Sequence, residues 1–103
     1  MLINLKKTYN SMCGFVVIFH PEGGNYKEKL FKATSAITHR GPDDFGYFHD
    51  EQISIGFRRL SIIDLSKNAS QPFHSLDGRY ILVFNGEIYN YIELRNLLIN
   101  KGY

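Results

Sequence analysis

Phe15-Val16-Val17-Ile18-Phe19 is a continuous run of β-branched and aromatic residues, preceded by Gly14 and followed by the breaker segment 21–24. A short apolar run of this composition, closed at both ends by residues that disfavour regular structure, is typical of a strand buried on both faces. Cys13, the only cysteine of the chain, comes shortly before this run. We therefore predict a central strand with a thiol at its start.

A helix is predicted over residues 26–38, because apolar residues recur there at helical spacing. They are Tyr26, Leu30, Ala33 and Ile37. Asn25 and Glu28 have the form of a capping box at the start of this helix. Two antiparallel strands, joined near residues 50–51, then account for the apolar residues at positions 45 and 47 and at 53, 55 and 57.

The last third of the chain predicts a turn, a strand and a second helix. Residues 64–72 are polar and are interpreted as an ordered loop, and Asp77-Gly78 predicts a turn before a strand over residues 79–84. Asn90 and Glu93 repeat the capping-box form, leucines at 94, 97 and 98 make a helical stripe, and Gly102 is a natural stop. This order of elements predicts an α+β layered fold with a mostly antiparallel sheet.

Composition and charge are those of an ordinary globular domain. The 103 residues suffice for one small domain, and the formal charge of +2 comes from scattered lysines and arginines. The sequence has no basic cluster for nucleic acid, no segment near the length of a transmembrane helix and only one cysteine, too few for an intrachain disulfide. We therefore expect a cytoplasmic protein with neither a nucleic-acid nor a membrane partner.

Cys13 has two interpretations. An isolated cysteine is most often a small buried apolar side chain. However, Met12 directly precedes it, and translation from Met12 followed by removal of that methionine would leave Cys13 as the first residue. Its α-amine, with a pKa near 7.7–8.0 in unperturbed form, could then accept the thiol proton and make the residue a self-contained nucleophile and base.

Asn85-Gly86-Glu87 also has two interpretations. Asn-Gly after a β-rich run is a strong hairpin signal. The same dipeptide could form an oxyanion hole, because the asparagine amide and the glycine backbone N–H supply two donors and glycine lets the backbone approach a ligand closely.

Two further motifs carry charge. Arg58 or Arg59 could cover the core with its stem or grip a substrate carboxylate, and spacing does not choose between the two. The loop 39–43 combines histidine, arginine and aspartate, but no His/Cys/Glu set has the spacing of a zinc site. A loop-stabilising network is therefore the default for it, and no metal ligand is assigned.

Five motifs taken together resemble a known family. In order they are Met12-Cys13-Gly14-Phe15, His39-Arg40-Gly41-Pro42-Asp43, Arg59-Leu60-Ser61-Ile62-Ile63-Asp64, Gln71-Pro72 and Asn85-Gly86-Glu87-Ile88-Tyr89-Asn90. They resemble the N-terminal class II glutamine amidotransferase domain of glutamine-hydrolysing asparagine synthetases, of which residues 13–103 would cover about the first half. The third and fifth motifs favour this family over other class II amidotransferases.

The resemblance implies a role for each matching residue. Cys13 would attack the glutamine carboxamide, while Asn85 and the Gly86 N–H would hold the oxyanion. Arg59, rather than Arg58, would grip the glutamine α-carboxylate. Backbone groups of Leu60, Ser61, Ile62 and Ile63 would complete the pocket, and Glu87 would help to hold the amino end of glutamine.

The resemblance also implies the fold and the partners. The fold would be the four-layer αββα sandwich of N-terminal-nucleophile (Ntn) hydrolases. A C-terminal synthetase domain would use ATP and Mg²⁺ to amidate aspartate with the released ammonia. No cofactor is expected in these 103 residues, and a homodimer is left open.

Two departures from the family pattern keep alternatives open. First, residues 1–12 are interpreted as a leader outside the mature protein, and the favoured explanation is that the true start is Met12. Second, the chain stops before the family's later strands. Residues 1–103 alone are therefore expected to be unstable or inactive. The alternatives are another class II amidotransferase, of the amidophosphoribosyltransferase, glucosamine-phosphate synthase or glutamate synthase type, or an inactive truncated remnant.

Overall fold

The computed structural model describes residues 12–61 and 69–103. Its elements are β1 Gly14–Phe19, α1 Lys27–Ala36, β2 Asp44–His49, β3 Ile53–Arg59, β4 Phe73–His74, β5 Ile81–Leu82 and α2 Tyr91–Asn100. A three-stranded antiparallel sheet has the order β1-β3-β2, and β4 pairs with β5 in a separate antiparallel sheet. The predicted mixture of two helices with antiparallel strands is confirmed.

The register of the three-stranded sheet divides its side chains between two faces, since directly opposed residues of antiparallel strands lie on the same side. On the face that contacts α1, the central strand β3 contributes Ser54, Gly56 and Arg58. Gly56 allows the close approach of the helix, because an added Cβ would lie 2.0 Å from the hydroxyl oxygen of the buried Thr34. The other face of β3 carries Ile55, Phe57 and Arg59, all buried.

The prediction that β1 is buried on both faces is wrong. Phe15, Val17 and Phe19, which oppose the second face of β3, are 44%, 45% and 68% exposed. The reason is positional: β1 is an edge strand, and the described segment that crosses this face, residues 70–74, lies over β2 at the other edge. The apolar run is a strand, but one of its faces is uncovered in the described residues.

Both predicted capping boxes are wrong. α1 begins at Lys27 after an N-cap at Tyr26, so Glu28 is the second helical residue and not the third, as a capping box requires. Asn25 Oδ1 instead accepts the Lys27 N–H at 3.2 Å, while Glu28 pairs with Lys32 at 2.7 Å. In α2, Glu93 has the required spacing from the N-cap Asn90, but no side-chain cap hydrogen bond forms.

The predictions for the C-terminal region are confirmed in part. The turn at Asp77-Gly78 is present, with Gly78 at φ 70° and its N–H donating to the Ser75 carbonyl at 2.9 Å. The strand that follows is shorter than residues 79–84, since its partner β4 offers only two residues for pairing. The ordered loop predicted over residues 64–72 is described only from residue 69 onward.

The end of α2 is a Schellman motif. Gly102 has φ 88°, its N–H donates to the Ile99 carbonyl, and the Tyr103 N–H donates to the Leu98 carbonyl, both at 3.0 Å. The stop predicted at Gly102 is therefore confirmed. α2 itself has no buried residue, and both Leu94 and Leu97 are exposed. Neither helix of the described segments is long and apolar enough to cross a membrane.

A buried polar cluster lies at the end of the sheet opposite to Cys13. The Ser54 hydroxyl is 2.9 Å from His20 Nε2 and 2.6 Å from His49 Nδ1, and His20 Nδ1 is 3.1 Å from the Glu51 carbonyl oxygen. Since a carbonyl only accepts, His20 Nδ1 must carry the proton. With both rings neutral, Ser54 then donates to His20 and accepts from His49, so that one proton arrangement satisfies every hydrogen bond.

Candidate active site

The sulfur of Cys13 lies against the backbone of Leu60. The Leu60 N–H donates to Sγ at an N···S distance of 3.3 Å, and Sγ lies 3.6 Å from the Leu60 carbonyl oxygen. A thiolate needs a donor and a thiol needs an acceptor, and one residue provides both. The half-buried Cys13 side chain therefore has a hydrogen-bond partner in either protonation state.

The carbonyl oxygen of Cys13 accepts hydrogen bonds from two residues that are distant in the sequence. Asn85 Nδ2 donates to it at 2.7 Å across 72 positions of sequence, and Arg40 Nε donates at a longer 3.4 Å. The sequence named Cys13 and Asn85 as separate candidates, and the structure brings them into direct contact. An asparagine amide has two N–H groups. One of them is used on this carbonyl.

Asn85-Gly86 is not a hairpin turn. The type I′ turn that favours Asn-Gly needs positive φ at both central residues, and neither Asn85 nor Gly86 has it. The dipeptide instead forms a bend between β5 and α2. An added Cβ at Gly86 would lie 2.9 Å from Phe84 Cζ, so any other residue there would have to displace this ring. The hairpin interpretation is excluded, and the bend leaves Asn85 directed at Cys13.

The strand register separates the two arginines that spacing could not distinguish. Arg58 lies on the α1 face, where its Nε donates to the Thr34 carbonyl at 3.3 Å and its guanidinium carbon lies 5.2 Å from the Phe45 ring centroid. Arg59 lies on the opposite face and is buried. Continuing the register from Gly14 by one residue sets Cys13 across from Arg59. Arg59 is thus the arginine that shares the side of Cys13.

The loop 39–43 is held against the end of β3. Gly41 is required there, because an added Cβ would lie 2.4 Å from the Arg58 carbonyl carbon and 2.5 Å from the Arg59 nitrogen. The Asp43 N–H donates to the Arg59 carbonyl at 3.0 Å, and Asp43 Oδ2 accepts the Ser61 N–H at 2.7 Å. These contacts agree with the interpretation of the loop as a stabilising network.

The remaining site residues are not all brought to Cys13. Glu87 is exposed on the wall of a cavity of about 400 Å³ that it shares with Gly86 and Ile88, and whose lining includes neither Cys13 nor Asn85. Ile62 and Ile63, named for the pocket backbone, lie outside the described residues. Among residues 12–61 and 69–103 no group of three His, Cys, Asp or Glu side chains is arranged to hold a metal ion.

One residue beside the site was given no role by the sequence. The Gln71 side-chain amide pairs with the backbone of Phe84, immediately before Asn85. Its position in the Gln71-Pro72 motif was the only available signal. A side chain that pairs with backbone 13 residues away leaves no periodic pattern in a sequence.

The end of the three-stranded sheet thus carries the Cys13 thiol, the Asn85 amide that donates to the Cys13 carbonyl, and Arg59 on the same side as Cys13. Residues 12–103 match the glutamine amidotransferase domain family, and the chain belongs to that family.

The relatives are more specific. The chain is 53% identical over 96 residues to asparagine synthetase [glutamine-hydrolyzing] 1 of Bacillus subtilis (strain 168), a match that covers 89% of this chain and 15% of that protein. Identity to asparagine synthetase 2 of the same organism is 43% over 93 residues, covering 86% and 12%. For asparagine synthetase 1 of Saccharomyces cerevisiae it is 41% over 85 residues, covering 82% and 15%. The chain thus spans about one seventh of the length of these relatives, and no solved structure matches it.

Proposed function

We propose that this chain is the glutaminase portion of a glutamine-dependent asparagine synthetase, with Cys13 as the nucleophile. The observation that carries the proposal is the 2.7 Å hydrogen bond from Asn85 Nδ2 to the Cys13 carbonyl, which joins a candidate nucleophile to a candidate oxyanion donor. The relatives described above all carry the name asparagine synthetase, which favours aspartate over the acceptors of other class II amidotransferases.

The proposed reaction starts with removal of everything before Cys13. The freed α-amine takes the thiol proton, and the sulfur attacks the side-chain carbonyl carbon of glutamine. The free N–H of Asn85 and the Gly86 N–H hold the oxyanion of the tetrahedral intermediate. As that intermediate collapses, the α-amine gives the proton to the departing nitrogen and the carbon–nitrogen bond breaks. Ammonia is released, and Cys13 remains bound to the glutamyl group as a thioester. Water then attacks the thioester to release glutamate and regenerate the thiol.

Substrate recognition is assigned to the end of β3. The Arg59 guanidinium would grip the glutamine α-carboxylate in a bidentate pair, with backbone groups of residues 60–63 completing the pocket and Glu87 binding the amino group. Support for Arg59 comes from its position on the side of Cys13, whereas Arg58 is engaged with Thr34 on the other face. The Leu60 N–H, which donates to the Cys13 sulfur in the resting site, would donate to the same sulfur in the tetrahedral intermediate.

The wider assignment concerns the protein around this chain. We infer that the sheet β1-β3-β2 and α1 form two layers of a four-layer αββα Ntn-hydrolase sandwich. Phe15, Val17 and Phe19 form an apolar face of the kind that a second sheet would cover, and α2 presents a similar apolar surface. A synthetase domain, which would bind the ATP and Mg²⁺, would then use the ammonia to amidate aspartate.

The alternative that residue 13 stays internal leads to an inactive remnant. It applies if the residues that precede Cys13 in the sequence are retained in the mature protein. An internal residue has an amide in place of the α-amine, and an amide cannot accept the thiol proton. The mass of the natural protein separates the two: a chain that begins at Cys13 supports catalysis, and a chain that retains residues 1–12 supports the remnant.

The catalytic test replaces the nucleophile in the full-length gene product. Cys13→Ala should abolish glutamate release from glutamine and leave ammonia-dependent asparagine synthesis intact. Cys13→Ser, which keeps the α-amine and exchanges sulfur for oxygen, is the matched variant and should also lose nearly all glutaminase activity. Glutamate release at the unaltered rate from Cys13→Ala would eliminate Cys13 as the nucleophile.

A further inference from the structure

We propose that Gln71 is a positioning residue for the Asn85 amide, the proposed oxyanion donor, and holds Asn85 in place through the backbone of Phe84. The inference rests on the proposed glutaminase function. Gln71 Nε2 donates to the Phe84 carbonyl at 2.9 Å, and Gln71 Oε1 accepts the Phe84 N–H at 2.6 Å. The side-chain amide thus satisfies both backbone groups of one residue, as a neighbouring strand would.

The position of this pairing gives it functional weight. Regular strand pairing ends at Leu82, and the chain has no further helix or strand until α2 begins at Tyr91. The two hydrogen bonds fix the peptide units on either side of Phe84, and the second of these units carries the Asn85 nitrogen. Gln71 therefore orients the backbone from which the Asn85 side chain reaches Cys13.

Gln71 is itself anchored to the three-stranded sheet. Its carbonyl oxygen lies so close to Gly46 of β2 that an added Cβ there would be 1.8 Å away. The neighbouring Ser70 hydroxyl donates to Asp44 Oδ2 at 2.7 Å. β2 pairs with β3, and β3 pairs with the strand that begins beside Cys13. The contacts form one path from the sheet that holds the nucleophile to the amide that would hold the oxyanion.

A purely structural role would predict a different outcome. Loss of folding stability lowers every activity of the protein and lowers it equally in any background. A positioning role acts only through donors that are used in the transition state, so it lowers kcat for glutamine with little change in KM. It also requires the Asn85 amide, so that its effect shrinks when that amide is absent.

The experiment is a double-mutant cycle in the full-length gene product, with Gln71→Met, Asn85→Ala and the double variant. Methionine keeps the length of the side chain and removes both hydrogen bonds. The expected loss of glutaminase kcat in Gln71→Met is about 10- to 100-fold, the scale of a small misplacement of a catalytic group. In the Asn85→Ala background the same substitution should cost less than about 3-fold, and ammonia-dependent synthesis should be unchanged in all three.

One control and one second variant of Gln71 complete the design. Gln52→Met makes the same change at an exposed glutamine in the β2–β3 turn and should leave kcat unaltered. Gln71→Glu keeps the acceptor for the Phe84 N–H but turns a carboxylate oxygen towards the Phe84 carbonyl, and it should lose kcat in the same Asn85-dependent way. If Gln71→Met does not fold, the cycle is run with Gln71→Glu.

Three results would overturn the inference: an unchanged kcat, an equal loss in both backgrounds, or a parallel loss of ammonia-dependent synthesis. The Cys13→Ala variant distinguishes these from failure of the proposed function. Retained glutaminase in Cys13→Ala removes the mechanism itself. An inactive Cys13→Ala beside a fully active Gln71→Met leaves the mechanism standing and removes only the role of Gln71.

Discussion

Replacement of Asn85 tests the contact on which the mechanism depends. Its amide nitrogen is 2.7 Å from the Cys13 carbonyl, and its second N–H is the one assigned to the oxyanion. Asn85→Ala removes both. Loss of one oxyanion donor typically lowers kcat by about 10²- to 10³-fold, or roughly 2.7–4 kcal/mol. The hydrogen bond to Cys13 adds about 0.5–1.5 kcal/mol of stability to the resting site.

Asn85→Asp makes the test sharper, because aspartate has nearly the shape of asparagine. A carboxylate oxygen would face the Cys13 carbonyl at the distance of the present hydrogen bond, and it would repel the developing oxyanion. We therefore expect Asn85→Asp to lose at least as much kcat as Asn85→Ala.

Both Asn85 variants are assayed by glutamate release over a range of glutamine concentrations, with ammonia-dependent synthesis as the control for folding. A loss of kcat of less than about 3-fold in Asn85→Asp would refute the assignment of the amide as a donor, because loss of an oxyanion donor costs far more than this.

Two further predictions concern stability. Ser54→Ala leaves Nε2 of the buried His20 without its partner and should lower the free energy of unfolding by about 1–3 kcal/mol. Urea titration measures this loss, with Ser35→Ala as the control. Equal urea midpoints for Ser54→Ala and the parent protein would contradict the prediction. Backbone N–H groups of Gln52 and Ile53 donate to Asp50 and lower the pKa of this carboxyl below its ordinary value of 3.8. Its contribution is complete above that value and is lost as the pH falls through the lower folded pKa. Asp50→Asn should therefore flatten the fall of the urea midpoint between about pH 5 and pH 2, and an identical fall in both proteins would count against it.

Elements with a strong local pattern could be predicted from the sequence. The β2–β3 pair, the turn at Asp77-Gly78 and the helix end at Gly102 depend on residues within one turn or one alternation of each other. The capping boxes failed for a local reason as well. Such a box depends on which residue is the N-cap, and for α1 a shift of one residue moves Glu28 out of the required position.

The features that escaped prediction depend on contacts between distant segments. Periodicity records that residues 15–19 are apolar but not whether another layer covers them, and for this reason the exposed face of β1 was missed. The sequence names Cys13 and Asn85 without their contact, which needs the three-stranded sheet and the Gln71 pairing to bring them together. The choice between Arg58 and Arg59 likewise needs the strand register.

The opposite orientation of Arg58 and Arg59 limits the length variation that the domain can accept. Insertion or deletion of one residue inside β3 would exchange the two guanidinium groups between the faces of the sheet, with no change in the rest of the composition. The arginine that now packs under α1 would then project on the side of Cys13, one residue away from the present position of Arg59. Natural homologues should therefore gain or lose single residues in the turn at 50–52 and keep the spacing from that turn to the arginine pair constant.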